Sequence, residues 1–216
     1  MHQGRLWVPA GLIAWAVLIV SPTKANIVSG GGFENATLTG CFTAISAPNG
    51  LGDGWFASAG EIEVDATGET CAGTAPPEVA HSGNRMAFLD WAFAPNSVAQ
   101  TLATVPGQSY TISYFVADSA PNGLEVSFGN QVLFDGTAPI AGVGSPADYL
   151  QQFFTATATS SSTLLVFTGQ YSTGNGTLLD DVSVTPATSI PEPRTLSLLL
   201  FGLVVCLFWR RKFPST

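Results

Sequence analysis

The chain has 216 residues with 7 Lys+Arg against 15 Asp+Glu, and only 10% of it is charged, where about 25% is usual for soluble domains. Residues 26–190 hold 14 of the acids but Arg85 alone among Lys and Arg, a net charge of −13. Such a stretch cannot displace counterions from phosphates, which excludes nucleic-acid binding and disfavours attachment to anionic lipid.

In chain order, residues 1–25 read as a secretory signal peptide. Arg5 precedes an apolar run, Leu6–Val20, and Ser21-Pro-Thr-Lys-Ala25 comes after it. Thr23 and Ala25, two apart, form the small-residue site that a signal peptidase reads, so cleavage is expected after Ala25. The apolar run is shorter than the ~20 residues of a spanning helix. An uncleaved anchor is the alternative, and on either reading the middle domain is exported.

Residues 26–187 are long enough for one domain with its own core. They show no sustained helical periodicity, and short β-branched and aromatic runs alternate with Gly, Pro, Asn and Ser, the pattern of an all-β fold. Tyr110, Ile112, Tyr114 and Val116 alternate with Thr111 and Ser113, so this strand turns one face to a core, and Phe115 shows that its other face is partly covered too. Further strands are predicted at Arg85–Asp90, Ser97–Thr104, Leu124–Phe128, Gln131–Phe134, Tyr149–Thr157, Thr163–Phe167 and Thr177–Val184. About eight to ten strands with regular turns point to a jelly-roll or Greek-key β-sandwich. Gly40–Gly54 and Ala66–Ser82 are poor in β-formers and read as loose. They hold Cys41 and Cys71, which in an exported chain are expected to form a disulfide contributing about 3–4 kcal/mol. Two thiols and His81 fall short of a zinc ligand set.

Chemistry is sparse. With one histidine among residues 26–187, His81, in the turn before Ser82-Gly83 and no Gly-x-Ser-x-Gly elbow, serine-hydrolase chemistry has no support. Glu61 and Glu63 lie two apart on one strand face, which suits a glycosidase pair or, more simply, a solvated face. Sugar binding needs aromatic faces with carboxylates or amides beside them. Trp55, Phe56, Trp91, Phe93, Tyr149 and Tyr171 are the candidates outside clear core strands. Asp90-Trp91-Ala-Phe93 comes after a strand and precedes Pro95-Asn96, which places Trp91 on a loop at one end of the sandwich, either as the leading sugar contact or as an aromatic plug. Asp90, Phe93 and Tyr149 complete the candidate ligand set.

The tail, residues 188–216, opens on Pro191-Glu192-Pro193, runs through an apolar segment, Thr195–Trp209, and meets Arg210-Arg211-Lys212. The two prolines hold the start extended and reachable. The segment is a short transmembrane helix of ~22 Å against a hydrocarbon core of ~30 Å. The basic cluster keeps its end cytoplasmic and the preceding domain outside. This combination resembles the PEP-CTERM sorting signal of Gram-negative bacteria. The resemblance implies recognition and cutting near the tripeptide by an exosortase, membrane attachment through the helix before processing, and a final place at the cell surface or in the extracellular matrix. An ordinary single-pass anchor is the alternative.

Across the middle domain a second likeness appears. Asn26-Ile-Val-Ser-Gly-Gly-Gly-Phe-Glu34, Gly54-Trp55, His81-Ser-Gly-Asn-Arg-Met-Ala-Phe-Leu-Asp90, Gln100, Pro106-Gly-Gln-Ser-Tyr110 and Leu178-Leu-Asp-Asp-Val-Ser-Val184 resemble the galactose-binding-like jelly rolls, which include carbohydrate-binding modules. Where such modules hold a structural calcium ion, acids of the first and last strands contribute. The matching positions are Glu34, Asp180 and Asp181. Strand alternation lets only one of Asp180 and Asp181 face inward, and two solvated aspartates remain an open alternative. The expectation is a non-catalytic exported protein that binds extracellular polysaccharide. A structural or adhesive coat protein without sugar affinity is the alternative, and a secreted glycoside hydrolase the third.

Overall fold

The computed structural model describes residues 25–68, 77–89, 95–170 and 176–187. The apolar runs at both ends, the residues of the sorting tail, Cys71, Tyr171, Asp90, Trp91 and Phe93 lie outside these. Among the described residues no helix is long and apolar enough to cross a membrane.

Among the described residues twelve strands form two six-stranded sheets. The first sheet runs in the order β1 (Phe42–Ser46), β4 (Glu61–Ala66), β5 (Arg85–Leu89), β12 (Thr177–Pro186), β7 (Ser109–Ala117), β10 (Leu150–Thr157). The second runs β2 (Gly50–Gly52), β3 (Trp55–Ala59), β6 (Asn96–Ala103), β11 (Ser162–Gln170), β8 (Gly123–Phe128), β9 (Gln131–Thr137). Paired strands are antiparallel, as in β10 on β7 and β11 on β6. The all-β sandwich read from the sequence is the fold observed. The stretch Gly40–Gly54, read as loose, instead carries β1 and β2. Both are short and weakly buried, and they add to edges already built by β4 and β3.

Alternation puts the core where the two inner faces meet. Tyr110, Ile112, Tyr114 and Val116 of β7 are buried in one cluster with Val98, Leu102, Leu165 and Phe167 of the opposite sheet. Tyr114 meets Phe167 edge-on at 5.0 Å between centroids, and Trp55 packs at 6.3 Å from Phe167 and 5.2 Å from Phe33. Trp55, a candidate surface aromatic in sequence, is 2% exposed and belongs to this core. Its indole N–H donates to the Gly30 carbonyl at 3.1 Å.

The first sheet is also covered on its outer face. Met86 and Phe88 of β5, Leu178 of β12 and Ala117 of β7 form a second cluster with Ala80, Val143 and Tyr149 from the connecting segments, and Phe115 packs against it. Burying each large side chain of that kind contributes about 1.5–3 kcal/mol. One half of the outer face is therefore interior, and the acids of that face are interior with it.

Candidate functional site

The N-terminal segment is fixed by side-chain clips rather than by a strand. Asn26 Oδ1 accepts from Val28 N and Val184 N, at 3.0 and 2.8 Å. Gln100 accepts from Ser29 N at 3.0 Å and donates to the carbonyls of Ser29 and Asp53 at 2.8 and 3.0 Å. So held, the segment delivers Glu34 to the 81–85 turn. There its Oε1 accepts from Asn84 N at 2.8 Å and Arg85 N at 3.0 Å, and the Arg85 guanidinium donates to the Glu34 carbonyl.

The last strand supplies the other side of this corner. Its register shifts between Asp180 and Ser183, with Asp181 at φ 47°. Asp180 is the buried one of the pair and Asp181 is half-buried, but this bulge brings both aspartates to the same two residues, His81 and Ser82. Asp180 Oδ2 accepts from Ser82 N at 3.1 Å and Oδ1 from Asp181 N at 2.7 Å. Asp181 Oδ1 accepts from Ser82 Oγ at 2.9 Å, and its Oδ2 lies 2.6 Å from His81 Nδ1. The His81 ring stacks on Phe115 with centroids 3.6 Å apart and meets Tyr149 edge-on at 5.5 Å.

Glu34, Asp180 and Asp181, far apart in sequence, are thus brought together. A Cβ built on Gly32 would sit 3.5 Å from Asp181 Oδ1, 3.6 Å from Asp180 Oδ1 and 3.8 Å from Glu34 Cγ. Many of their oxygens face N–H and O–H donors rather than a common point. Among the described residues no group of three or more acidic, His or Cys side chains is placed to hold a metal ion. Hydrogen bonds from the 81–85 turn engage one or more oxygens of each carboxylate.

Tyr149 requires a correction as a ligand contact: it is 5% exposed and packs in the second cluster. The sequence reading put Tyr149 at the head of a strand that begins in the structure one residue later, at Leu150. The cover over the outer sheet face, which encloses it, leaves no trace in strand periodicity. Its hydroxyl is buried with no hydrogen-bond partner, and burial, then the charges of Asp180, Glu78, Asp65 and Asp181, push its ionisation well above the usual phenol range.

The sequence also missed a buried acidic group. Glu63 and Asp65 of β4 are 5% and 4% exposed, and Glu63 Oε1 and Asp65 Oδ1 have no hydrogen-bond partner. Burial first, then Glu61 and Glu78, push Glu63 up to about 7. Burial, then Glu63 and Glu78, push Asp65 up to about 8, with a hydrogen bond shared with Glu78. Asp180 rises to about 7, chiefly by burial and against the amide bonds that favour its charge. The alternation Glu61-Ile-Glu-Val-Asp65 carries the signal of one acidic face, but not of the second layer that seals most of it.

This arrangement limits the chemistry. Ser82 and His81 both bond to Asp181, so the order is serine, aspartate, histidine. The imidazole does not stand between hydroxyl and acid and cannot take the serine's proton in the manner of a hydrolase triad. A glycosidase pair must flank an open cleft, whereas Glu63 is sealed and Glu61 accepts from Ser46 Oγ at 2.8 Å. Cys41 is disulfide-bonded.

Comparison with known proteins bears on both halves of the chain. No curated protein matches it in sequence. Among solved structures, the sandwich is similar to the CBM22-1 xylan-binding domain of Paenibacillus barcinonensis Xyn10C, at 16% identity and a TM-score of 0.47, covering 79% of this chain and 99% of that one. It is similar to a carbohydrate-binding module of Cellvibrio mixtus lichenase 5A solved with cellotriose, at 14% identity, TM-score 0.42, covering 68% and 98%. A family 35 carbohydrate-binding module from Clostridium thermocellum matches at 12% identity, TM-score 0.41, covering 68% and 98%. Residues 189–212 match the PEP-CTERM protein-sorting motif, which marks the chain as an exported protein sorted to the cell envelope.

Proposed function

We propose that the chain is a non-catalytic protein of the cell surface or extracellular matrix of a Gram-negative bacterium. An exosortase-type enzyme processes its tail from a membrane-attached intermediate, and its β-sandwich binds extracellular polysaccharide. The observation that carries this reading is the sorting motif over residues 189–212 behind a sandwich whose acids and histidine are engaged with one another. The serine, aspartate, histidine order and the sealed carboxylates favour binding over hydrolysis. The sequence likeness to galactose-binding-like modules supports a sugar as what is bound. Trp91, with Asp90 and Phe93 near it in sequence, is the proposed principal contact.

A glycan array probed with the purified protein tests this. Binding to polysaccharide that is lost in Trp91→Ala, with the melting midpoint kept, supports it; silence across the array favours a coat or adhesive protein without sugar affinity. Calcium rests on the likeness alone together with the crowding of Glu34, Asp180 and Asp181. Melting with and without a chelator decides it, since a midpoint that falls on chelation would support the ion at this corner.

A further inference from the structure

An edge strand leaves every second pair of backbone N–H and C=O groups without a partner, so natural sandwiches protect their edges. Among the described residues the two sheets end in four such strands, β1 and β10 in the first and β2 and β9 in the second. Three of them are protected. β1 and β2 are five and three residues long, and β9 carries Asp135 and meets β8 through a register shift. β10, Leu150–Thr157, has none of these devices: it is eight residues long, holds no charge and no proline, and keeps an unbroken register against β7.

The direction of its backbone groups follows from two fixed points. Just past β10, Ala158 N donates to the Gln108 carbonyl at 3.0 Å and the Ala158 carbonyl accepts from Gly107 N at 2.8 Å, both on the β7 side. On β7 the Ser109 carbonyl accepts from Ala187 N at 2.7 Å, on the β12 side. Both place the even-numbered groups of β10 against β7 and turn the odd-numbered ones outward. At the ends of the strand these outward groups are already engaged: Tyr149 N donates to the Pro146 carbonyl at 3.4 Å, and the Thr157 carbonyl accepts from Gln131 Nε2 at 2.6 Å. Gln151, Phe153 and Thr155 lie between, with outward N–H and C=O groups that meet no partner among the described residues. Their side chains are exposed, Phe153 by 61%.

We propose that this edge joins a second copy of the chain, β10 against β10 in antiparallel register about a two-fold axis through Phe153. Unpaired backbone groups at strand spacing call for another strand, and the symmetry of the open run selects an identical one. Reversed on itself about Phe153, the run sets Gln151 against Thr155 of the second copy and Phe153 against the same residue, with two hydrogen bonds in each pair and no outward group left over. The two exposed rings then lie side by side across the axis. Charge agrees with this choice. Two domains of net −13 repel one another unless they meet through uncharged surface, and neither β10 nor the neighbouring row Thr111, Ser113 and Phe115 of β7 carries a charge. A basic peptide, which the net charge would attract, finds no carboxylate along this edge. The first sheets of the two copies become one continuous sheet.

Sedimentation equilibrium of the full chain in a zwitterionic detergent tests this. The expected result is a reversible monomer–dimer equilibrium that tightens as added salt screens the repulsion. Phe153→Lys sets like charges face to face on the axis, and Thr155→Pro removes an outward N–H while sparing the ladder to β7; each should weaken the dimer at least about tenfold. The melting midpoint of the dilute monomer should stay in place in Phe153→Lys, which shows that the fold is kept. In a Cys206→Ser background Phe153→Cys should cross-link two copies on oxidation, because the Cα atoms of such a pair lie about 5.5 Å apart, within disulfide reach. Gln151→Cys, which faces Thr155, should not. A chain that stays monomeric at every concentration overturns the proposal. So does a dimer that survives both Phe153→Lys and Thr155→Pro and leaves Phe153→Cys unlinked. A monomer in which the Phe153 amide is protected from hydrogen exchange assigns the edge to another segment of the same chain and overturns it as well.

Discussion

Gly83 shows how narrowly single residues define the acid and histidine corner. It sits at φ 63°, and a Cβ there would lie 2.2 Å from Glu34 Oε1. Gly83→Ala combines left-handed strain with a clash against the carboxylate that accepts from Asn84 and Arg85, an expected loss of about 1–3 kcal/mol in urea unfolding. The sealed acids give a second residue-scale prediction. In the folded chain Glu63, Asp65 and Asp180 hold their protons to about 7, 8 and 7, against 4.5, 3.8 and 3.8 when free of the fold. The folded state binds more protons across that interval, so the stability they contribute is full below about pH 4 and is lost as pH rises through 7 to 8. The charges of Glu61 and Glu78 beside Glu63, of Glu78 beside Asp65, and of Asp181 beside Asp180 add to these rises. The melting midpoint should fall steadily from pH 5 to pH 9, and the double variant Glu63→Gln, Asp65→Asn should flatten that slope.

Elements hold these residues in place, and Gln100 of β6 is the clearest instance. Its amide satisfies Ser29 N and the Ser29 and Asp53 carbonyls, tying the segment that carries Glu34 to the second sheet. Gln100→Leu strands those groups and should cost at least about 2 kcal/mol, read by the same unfolding experiment. At this scale much of the fold was legible. The alternation in Tyr110–Val116 marks β7 because its two faces differ, and Thr177–Val184 marks β12 by its β-branched and leucine residues. β1 and β2 were not legible, since such short edge strands, five and three residues long, are stabilised by pairing and are too short to show a periodicity of their own. The meeting of Glu34 with the Asp180-Asp181 pair was implied only by the resemblance to the galactose-binding-like jelly rolls. The bulge that brings both aspartates to His81 and Ser82 could not be read, because a one-residue register shift leaves no compositional mark. Tyr149 and Glu63 were misjudged for one shared reason: a second layer of packing over a sheet face is built from connecting segments whose burial is tertiary.

At the scale of the whole molecule, the charge distribution and the sorting motif point the same way: an acidic sandwich of net −13, poor in chemistry, joined to a tail whose residues 189–212 match a protein-sorting motif. The proposed partner of Cys41 in its disulfide is Cys71. Peptide mapping without reduction should recover that pair, and reduction should lower stability by about 3–4 kcal/mol if loop closure accounts for it. Destination is the claim on which the rest depends, and the intact mass of the protein in fractionated cells tests it most directly. The account predicts an envelope or extracellular species that begins at Asn26 and ends near Pro191–Pro193, without Arg210, Arg211 and Lys212. A full-length chain of 216 residues recovered from the cytosol would contradict it.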